Sequence, residues 1–158
     1  MEPKQESKKE ILARFAPRAA LKALTPEAQA AIPQGLAVDG MVGIRGFPFR
    51  VGRESRGKMV EGVFYRIERP RRGDSAPTND LYLVDAGEKL QVSREHFSIE
   101  RSAAGYLLVD RGSVCGTSVA GKWIGSEEKG GTAPLRDGDE IRIGVDPTPF
   151  RYTFMSLE

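Results

Sequence analysis

From about residue 40 onward the chain alternates apolar and polar residues with a period of two. Phe47, Phe49 and Val51 alternate with Pro48 and Arg50, and Val63, Tyr65 and Ile67 with Phe64, Arg66 and Glu68. Leu81 and Leu83, Phe97 and Ile99, Ile141 and Ile143, and Phe150, Tyr152 and Phe154 repeat the pattern. This period predicts strands with one buried face. Tyr106 to Val109 is continuously apolar, which predicts a central strand. Asp85-Ala86-Gly87, Ala104-Gly105, Gly130-Gly131 and Asp137-Gly138 supply turn chemistry between these pieces. Many short strands at this spacing predict an all-β sandwich. No internal repeat is evident.

Residues 1–35 follow another rule. Ile11, Leu12 and Phe15 stand near helical spacing, Pro17 interrupts, and Ala-rich sequence resumes to Leu24. Thr25-Pro26-Glu27 reads as an N-cap followed by proline at the first helical position. One or two short, partly mobile helices are expected, as a solvated extension or a docking arm. Thr25, the only threonine there, makes a phosphorylated self-ligand conceivable. The expected organisation is therefore an extension over 1–35 and a β domain over 36–158. An arm or loop is inserted at about 54–78, where residues 54–68 suit a hairpin and RPRRGDSAPTN (69–79) a loop.

Composition adds limits. The 158 residues are 39% hydrophobic and 29% charged, and no run approaches the roughly 18 apolar residues that span a bilayer. The charged start lacks an apolar run typical of a secretory signal. One cysteine and one histidine leave no disulfide framework and little for a metal site, so no cofactor is expected and a reducing cytoplasm is the expected location. The net charge of +2 is unevenly spread: residues 50–72 carry 8 basic and 3 acidic residues, residues 73–158 carry 9 and 14. A local positive surface for one anion fits better than a nucleic-acid-binding face.

Three catalytic or binding patterns fail on their details. Gly52 to Lys58 matches G-x-x-x-x-G-K, but Met59 stands where a P-loop needs Ser or Thr, and the next residues alternate like a strand. Ser93 or Ser113 with His96 and Asp110 is the only available triad, and Cys115 with His96 the only Cys/His pair. No G-x-S-x-G elbow accompanies them, and a histidine packed under a loop explains His96 as well. Arg66, Arg69, Arg71 and Arg72 near Phe64 and Tyr65 suggest a single-strand nucleic-acid groove, but the run is short and the aromatics alternate as strand residues.

A fourth set lies at strand ends. Gly52-Arg53 follows FPFRV, Ser93-Arg94-Glu95-His96 precedes FSIE, and Asp110 to Thr117 follows YLLV. With Ser113-Val114-Cys115-Gly116-Thr117, then Gly121, Asn79-Asp80-Leu81 and Leu135 to Ile141 with Gly144, this series resembles the forkhead-associated (FHA) domain over about residues 40–155. The resemblance implies an FHA-type β-sandwich of about 10–11 strands that binds phosphothreonine without catalysis. It implies that Arg53 and Ser93 contact phosphate with Arg94 nearby, that Val114 and Cys115 lie in the peptide-contacting loop, and that Gly52, His96, Gly116 and Thr117 are structural supports. The chemistry is consistent: a phosphothreonine offers about −1.5 to −2 charge and three acceptor oxygens, which a guanidinium grips in parallel.

Two positions depart from the family pattern. Cys115 stands where the family usually has Asn, and Val114 where many members have a hydroxyl. A thiol is a weak hydrogen-bonding group, and each lost neutral bond costs about 1 kcal/mol. Two readings follow. One is an adaptor that binds a threonine-phosphorylated partner (a Ser/Thr kinase or its substrate), with no role for nucleic acid or membrane. The other is a scaffold that binds a protein, or itself, without phosphate. The oligomeric state is open.

Overall fold

The computed structural model describes residues 5–55, 57–61, 63–66 and 78–158. In chain order the elements are α1 (Lys8–Phe15), β1 (Ala19–Ala23), α2 (Pro26–Ala31), β2 (Met41–Ile44), β3 (Phe49–Arg53), β4 (Gly57–Val60), β5 (Val63–Arg66), β6 (Leu81–Leu83), β7 (Phe97–Ser102), β8 (Gly105–Asp110), β9 (Thr117–Val119), β10 (Lys122–Ile124), β11 (Gly131–Leu135), β12 (Glu140–Ile143) and β13 (Arg151–Ser156). Six strands form one sheet in the order β10-β9-β12-β13-β1-β2, and five form the other in the order β11-β8-β7-β3-β6. Together they make the 11-strand sandwich expected from the sequence, while β4 and β5 pair as a separate antiparallel hairpin.

The period-two residues meet inside. Phe49, Val51, Leu81, Leu83, Phe97, Ile99 and Leu108 come from the smaller sheet, and Leu21, Val42, Ile44, Ile141, Ile143, Tyr152 and Phe154 from the larger; all are buried. They belong to one core cluster, so the alternation read from the sequence is the inward face of each sheet. The β4–β5 hairpin departs from this. Val63, read as facing a core, is 52% exposed, because its strand pairs with neither main sheet. Ile67 and most of the 69–79 loop lie outside the described residues. Tyr106, Leu107 and Val109 are only half-buried, although β8 lies between β11 and β7.

The Ala-rich stretch ending at Leu24 is not helical. Residues 19–23 form β1, which pairs antiparallel with β13 on one side and β2 on the other. Alanine's helix propensity is worth a few tenths of a kcal/mol per residue. Two ladders of hydrogen bonds and the burial of Ala19, Ala20 and Leu21 outweigh it. The two helices form where expected. Ser7 and Glu10 build a capping box on α1, whose residues are all exposed. Thr25 caps α2 by accepting from the Ala28 amide at 2.9 Å, with Pro26 in the first turn. The Tyr152 hydroxyl donates to the Ala28 carbonyl at 2.9 Å and pins α2 to the sheet. Among the described residues no helix is long and apolar enough to cross a membrane.

Candidate binding site

Three segments meet at one end of the sandwich: the end of β3, the loop before β7 and the loop between β8 and β9. Backbone bonds bring them together. The Arg53 amide donates to the Ser93 carbonyl at 2.8 Å, His96 N–H to the Val51 carbonyl at 3.0 Å, and Arg111 N–H to the His96 carbonyl at 2.9 Å. Gly52 is required here: a Cβ would lie 2.0 Å from the Arg94 carbonyl oxygen, inside any tolerable contact with backbone.

His96 is fully buried beneath these loops. The Ser93 amide donates to Nδ1 at 2.9 Å, so Nδ1 carries the lone pair. The proton therefore sits on Nε2, which donates to the Gly116 carbonyl at 2.8 Å. One neutral ring thus ties the Ser93 loop to the Gly116 turn, and burial pushes its pKa below the usual 6.5. With both nitrogens engaged, the ring holds no lone pair free to take a proton from a serine or thiol.

Asp110 organises the third loop. Its Oδ1 accepts from the amides of Gly112 (3.0 Å) and Ser113 (2.8 Å), and its Oδ2 from the hydroxyls of Ser113 (2.6 Å) and Thr117 (2.7 Å). Ser113 Oγ in turn accepts from the Gly116 amide at 3.0 Å. Gly116 has φ +84°, and a Cβ there would meet the Gly125 carbonyl oxygen at 2.2 Å, so the turn needs glycine. Thr117 is buried within this network. Asn79 and Arg111 form a further brace not assigned a role from the sequence. Asn79 Nδ2 donates to the Arg94 carbonyl at 2.7 Å, and Arg111 donates to Asn79 Oδ1 at 2.6 Å and to the Thr78 carbonyl at 3.0 Å. Nothing in the local spacing of Arg111 marked it, because its partners lie about 30 residues away and meet it only in the fold.

On this frame stand the polar groups that face outward. Arg53 is half-buried, and one of its guanidinium nitrogens donates to the Val92 carbonyl at 3.2 Å. Arg94 is exposed. Arg14, Arg18, Arg50, Arg101, Arg111, Arg142 and Arg151 pair with carboxylates, whereas among the described residues Arg45, Arg53, Arg94 and Arg136 have no ion-pair partner, and of these Arg53 and Arg94 stand at this loop end. Between them, Ser93 Oγ accepts from the Val114 amide at 3.0 Å, and its own proton is uncommitted among the described residues. Val114 is 57% exposed. Cys115 is a half-buried free thiol whose Sγ lies 3.6 Å from the Leu90 carbonyl oxygen. Gly52, Arg53, Ser93, Arg94, His96, Val114, Cys115, Gly116 and Thr117 thus occupy one loop cluster, in which Gly52, His96, Gly116 and Thr117 are buried and Arg94 and Val114 are exposed.

The FHA domain model matches residues 50–144, more than half the chain, and the chain belongs to the FHA domain family. A comparison with curated proteins finds no relative of similar sequence. Solved structures of similar fold include the N-terminal FHA domain of Rad53p from S. cerevisiae in complex with a phosphothreonine peptide. It is 16% identical with a TM-score of 0.50, over 87% of this chain and 92% of that one. An engineered FHA domain with a Myc-pTBD peptide is 18% identical with a TM-score of 0.51, over 89% and 91% of the two chains. EmbR from Mycobacterium tuberculosis, in complex with a low affinity phosphopeptide, is 19% identical with a TM-score of 0.49 over 94% of this chain. The chain spans 28% of the EmbR chain's length.

Proposed function

We propose that the chain is a non-catalytic adaptor that binds phosphothreonine on a partner protein, in Ser/Thr kinase signalling. The observation that carries this reading is that, among the described residues, Arg53 and Arg94 have no carboxylate partner and the Ser93 hydroxyl beside them has an uncommitted proton. Arg53 and Ser93 then supply the direct phosphate contacts and Arg94 adds charge nearby. A phosphate dianion satisfies both needs at once, since charge-assisted bonds to guanidinium are about twice as strong as neutral ones. The supporting residues Gly52, His96, Gly116 and Thr117 are buried beneath the contacts, so the donors are held in place before any ligand arrives. The family membership and the phosphothreonine peptide bound by the Rad53p domain support the same ligand class. The partner is a threonine-phosphorylated protein, a Ser/Thr kinase or its substrate. The free thiol of Cys115 suits a reducing compartment, the cytoplasm.

Arg53→Ala is expected to abolish binding to phosphothreonine peptides with the fold intact, because the Arg53 amide keeps its bond to Ser93. Titration of a peptide series by calorimetry measures it, and wild-type affinity in the variant would remove Arg53 from the site. A second reading, a scaffold that engages a protein or another copy of itself without phosphate, is favoured by Val114 and Cys115, which place little hydrogen-bonding capacity in the peptide-contacting loop. An oriented phosphothreonine library run beside its unphosphorylated form separates the two; equal binding to both decides for the scaffold.

A further inference from the structure

Helix α1 is well made at its ends, yet its apolar face lies in solvent. Ser7 and Glu10 close a capping box at its start, and Arg14 pairs with Glu6. The helix has only eight residues, and none is buried. Helices shorter than about 12–15 residues are marginal in water and draw their stability from the packing of an apolar face. Ile11 and Phe15, one turn apart, and Leu12 beside them form such a face, and all three are exposed, Leu12 to 68%. The root of the helix is fixed nonetheless. Pro17 lies against Gly43 of β2, where an added Cβ would meet Pro17 Cβ at 3.1 Å. The Arg18 guanidinium stands over the Phe47 ring, 5.4 Å from its centroid, and Arg18 Nε donates to Glu158 Oε1 at 2.6 Å.

Beside this root runs a groove of about 840 Å³, lined by Phe15, Leu36, Val38, Val42 and Leu157 among others. A cavity of about 150 Å³ takes a benzene ring, so the groove has room for several side chains. Leu36, Val38 and Leu157 are exposed within it, Val38 to 73%. Strand β2 is the last strand of the larger sheet, which leaves the groove open on that side. Of α1 only Phe15 borders it, so the helix does not fill the groove of its own chain. We propose that the groove receives α1 of a second copy, two chains exchanging helices about a two-fold axis. One chain carries both halves of the contact, an unpacked apolar helix and an unfilled apolar groove, and a two-fold axis satisfies both at once. The six exposed apolar side chains present roughly 600 Å² on each copy, close to the ~800 Å² that each partner of a standard interface buries and at the upper end of what a monomer leaves in water. Charge fits as well. Among the described residues Glu10 on α1 and Arg45 at the groove have no ion-pair partner, and the exchange offers each the other. The groove lies at the start of β3, where Phe47, Pro48 and Phe49 line it. Arg53 stands at the other end of that strand, about 13 Å away at 3.3 Å per residue. The pairing therefore needs no phosphate, and the dimer presents two open anion sites.

The test is sedimentation equilibrium of the full chain, without peptide, over a range of concentrations. A concentration-dependent dimer is expected. Leu12→Glu/Phe15→Glu should raise its dissociation constant more than about a hundredfold, since a two-fold exchange buries each side chain twice. Both positions are exposed in the single chain, so its fold is kept, which circular dichroism checks. Val38→Glu, on the groove side, should cause a similar loss. In a Cys115→Ser background, a chain with Leu12→Cys mixed with a chain with Val38→Cys should form a disulfide between the two under mild oxidation. A chain that stays monomeric at every concentration overturns the second copy as occupant. A dimer that persists in both glutamate variants overturns the exchange. A dimer that is lost in Leu12→Glu/Phe15→Glu, kept in Val38→Glu and cross-linked only from Leu12→Cys to Leu12→Cys packs helix on helix, and overturns the groove as the seat.

Discussion

The interior of the sandwich and the loop end that carries the candidate site are both buried, yet they are held by different forces. The interior is aliphatic and aromatic: Ile99, Leu108, Ile141, Ile143 and Phe154 are fully buried and pack without direction. The loop end is polar. His96, Ser113 and Thr117 are equally buried, with Asp110 close behind, and each finds its partners at hydrogen-bonding distance. Among the described residues no buried side-chain nitrogen or oxygen lacks a partner. Apolar packing tolerates small displacements, whereas hydrogen bonds weaken steeply with angle and distance. A polar network therefore specifies the position of Ser93 and Arg94 in a way that an oily core could not. It also makes the site end more sensitive to protonation than the rest of the molecule.

The largest expected effects come from cutting each region once. Ile141→Ala should cost about 3–4 kcal/mol of stability and leave the peptide affinity of the folded protein unchanged. Asp110→Ala should cost about 3 kcal/mol, since it strands the hydroxyls of Ser113 and Thr117. It should also weaken peptide binding, because the 111–116 loop loses its anchor. Urea unfolding and peptide titration on the same preparations compare them; equal loss of affinity in both variants would erase the distinction. The next effect is titration. Below pH 6.5 the unfolded chain protonates its only histidine, while the buried ring of the folded chain, with its lowered pKa, does not. The unfolded state then binds more protons, so stability falls as the pH drops below 6.5 towards the lowered pKa of the folded ring, by up to about 1.4 kcal/mol per unit. His96→Ala should destabilise the protein and flatten that slope; a slope retained in the variant would assign it to other groups. The smallest effect is Cys115→Asn, which should tighten phosphopeptide binding about fivefold by restoring a neutral hydrogen bond to the ligand's main chain. A loss of affinity would mark the thiol as a specialised contact.

The sandwich strands were legible because burial on one face leaves a period-two trace in the chain. Phe49 and Val51, Ile141 and Ile143, and Tyr152 and Phe154 are all inward pairs of this kind. Strand β1 was not legible. Ala19-Ala20-Leu21 carries no alternation, and all three side chains are buried between ladders to β13 and β2 that lie far away in sequence. The hairpin of β4 and β5 shows the converse, an alternating pattern at Val63 with no sheet behind it. Of the site, Gly52-Arg53, Ser93 to His96 and Ser113 to Thr117 stood out as loop motifs. The braces from Asn79 and Arg111 did not, because each exists only as a distance between separate segments.

By itself the sequence determined the all-β class, the family and the candidate loop motifs, since residue type and periodicity are local properties of the chain. The tertiary structure decided how those motifs are placed. It set the tautomer of His96 through backbone partners on two separate loops, Ser93 and Gly116, and among the described residues it left Arg53 and Arg94 without carboxylates. Each of these depends on the simultaneous positions of three loops, which no local pattern encodes.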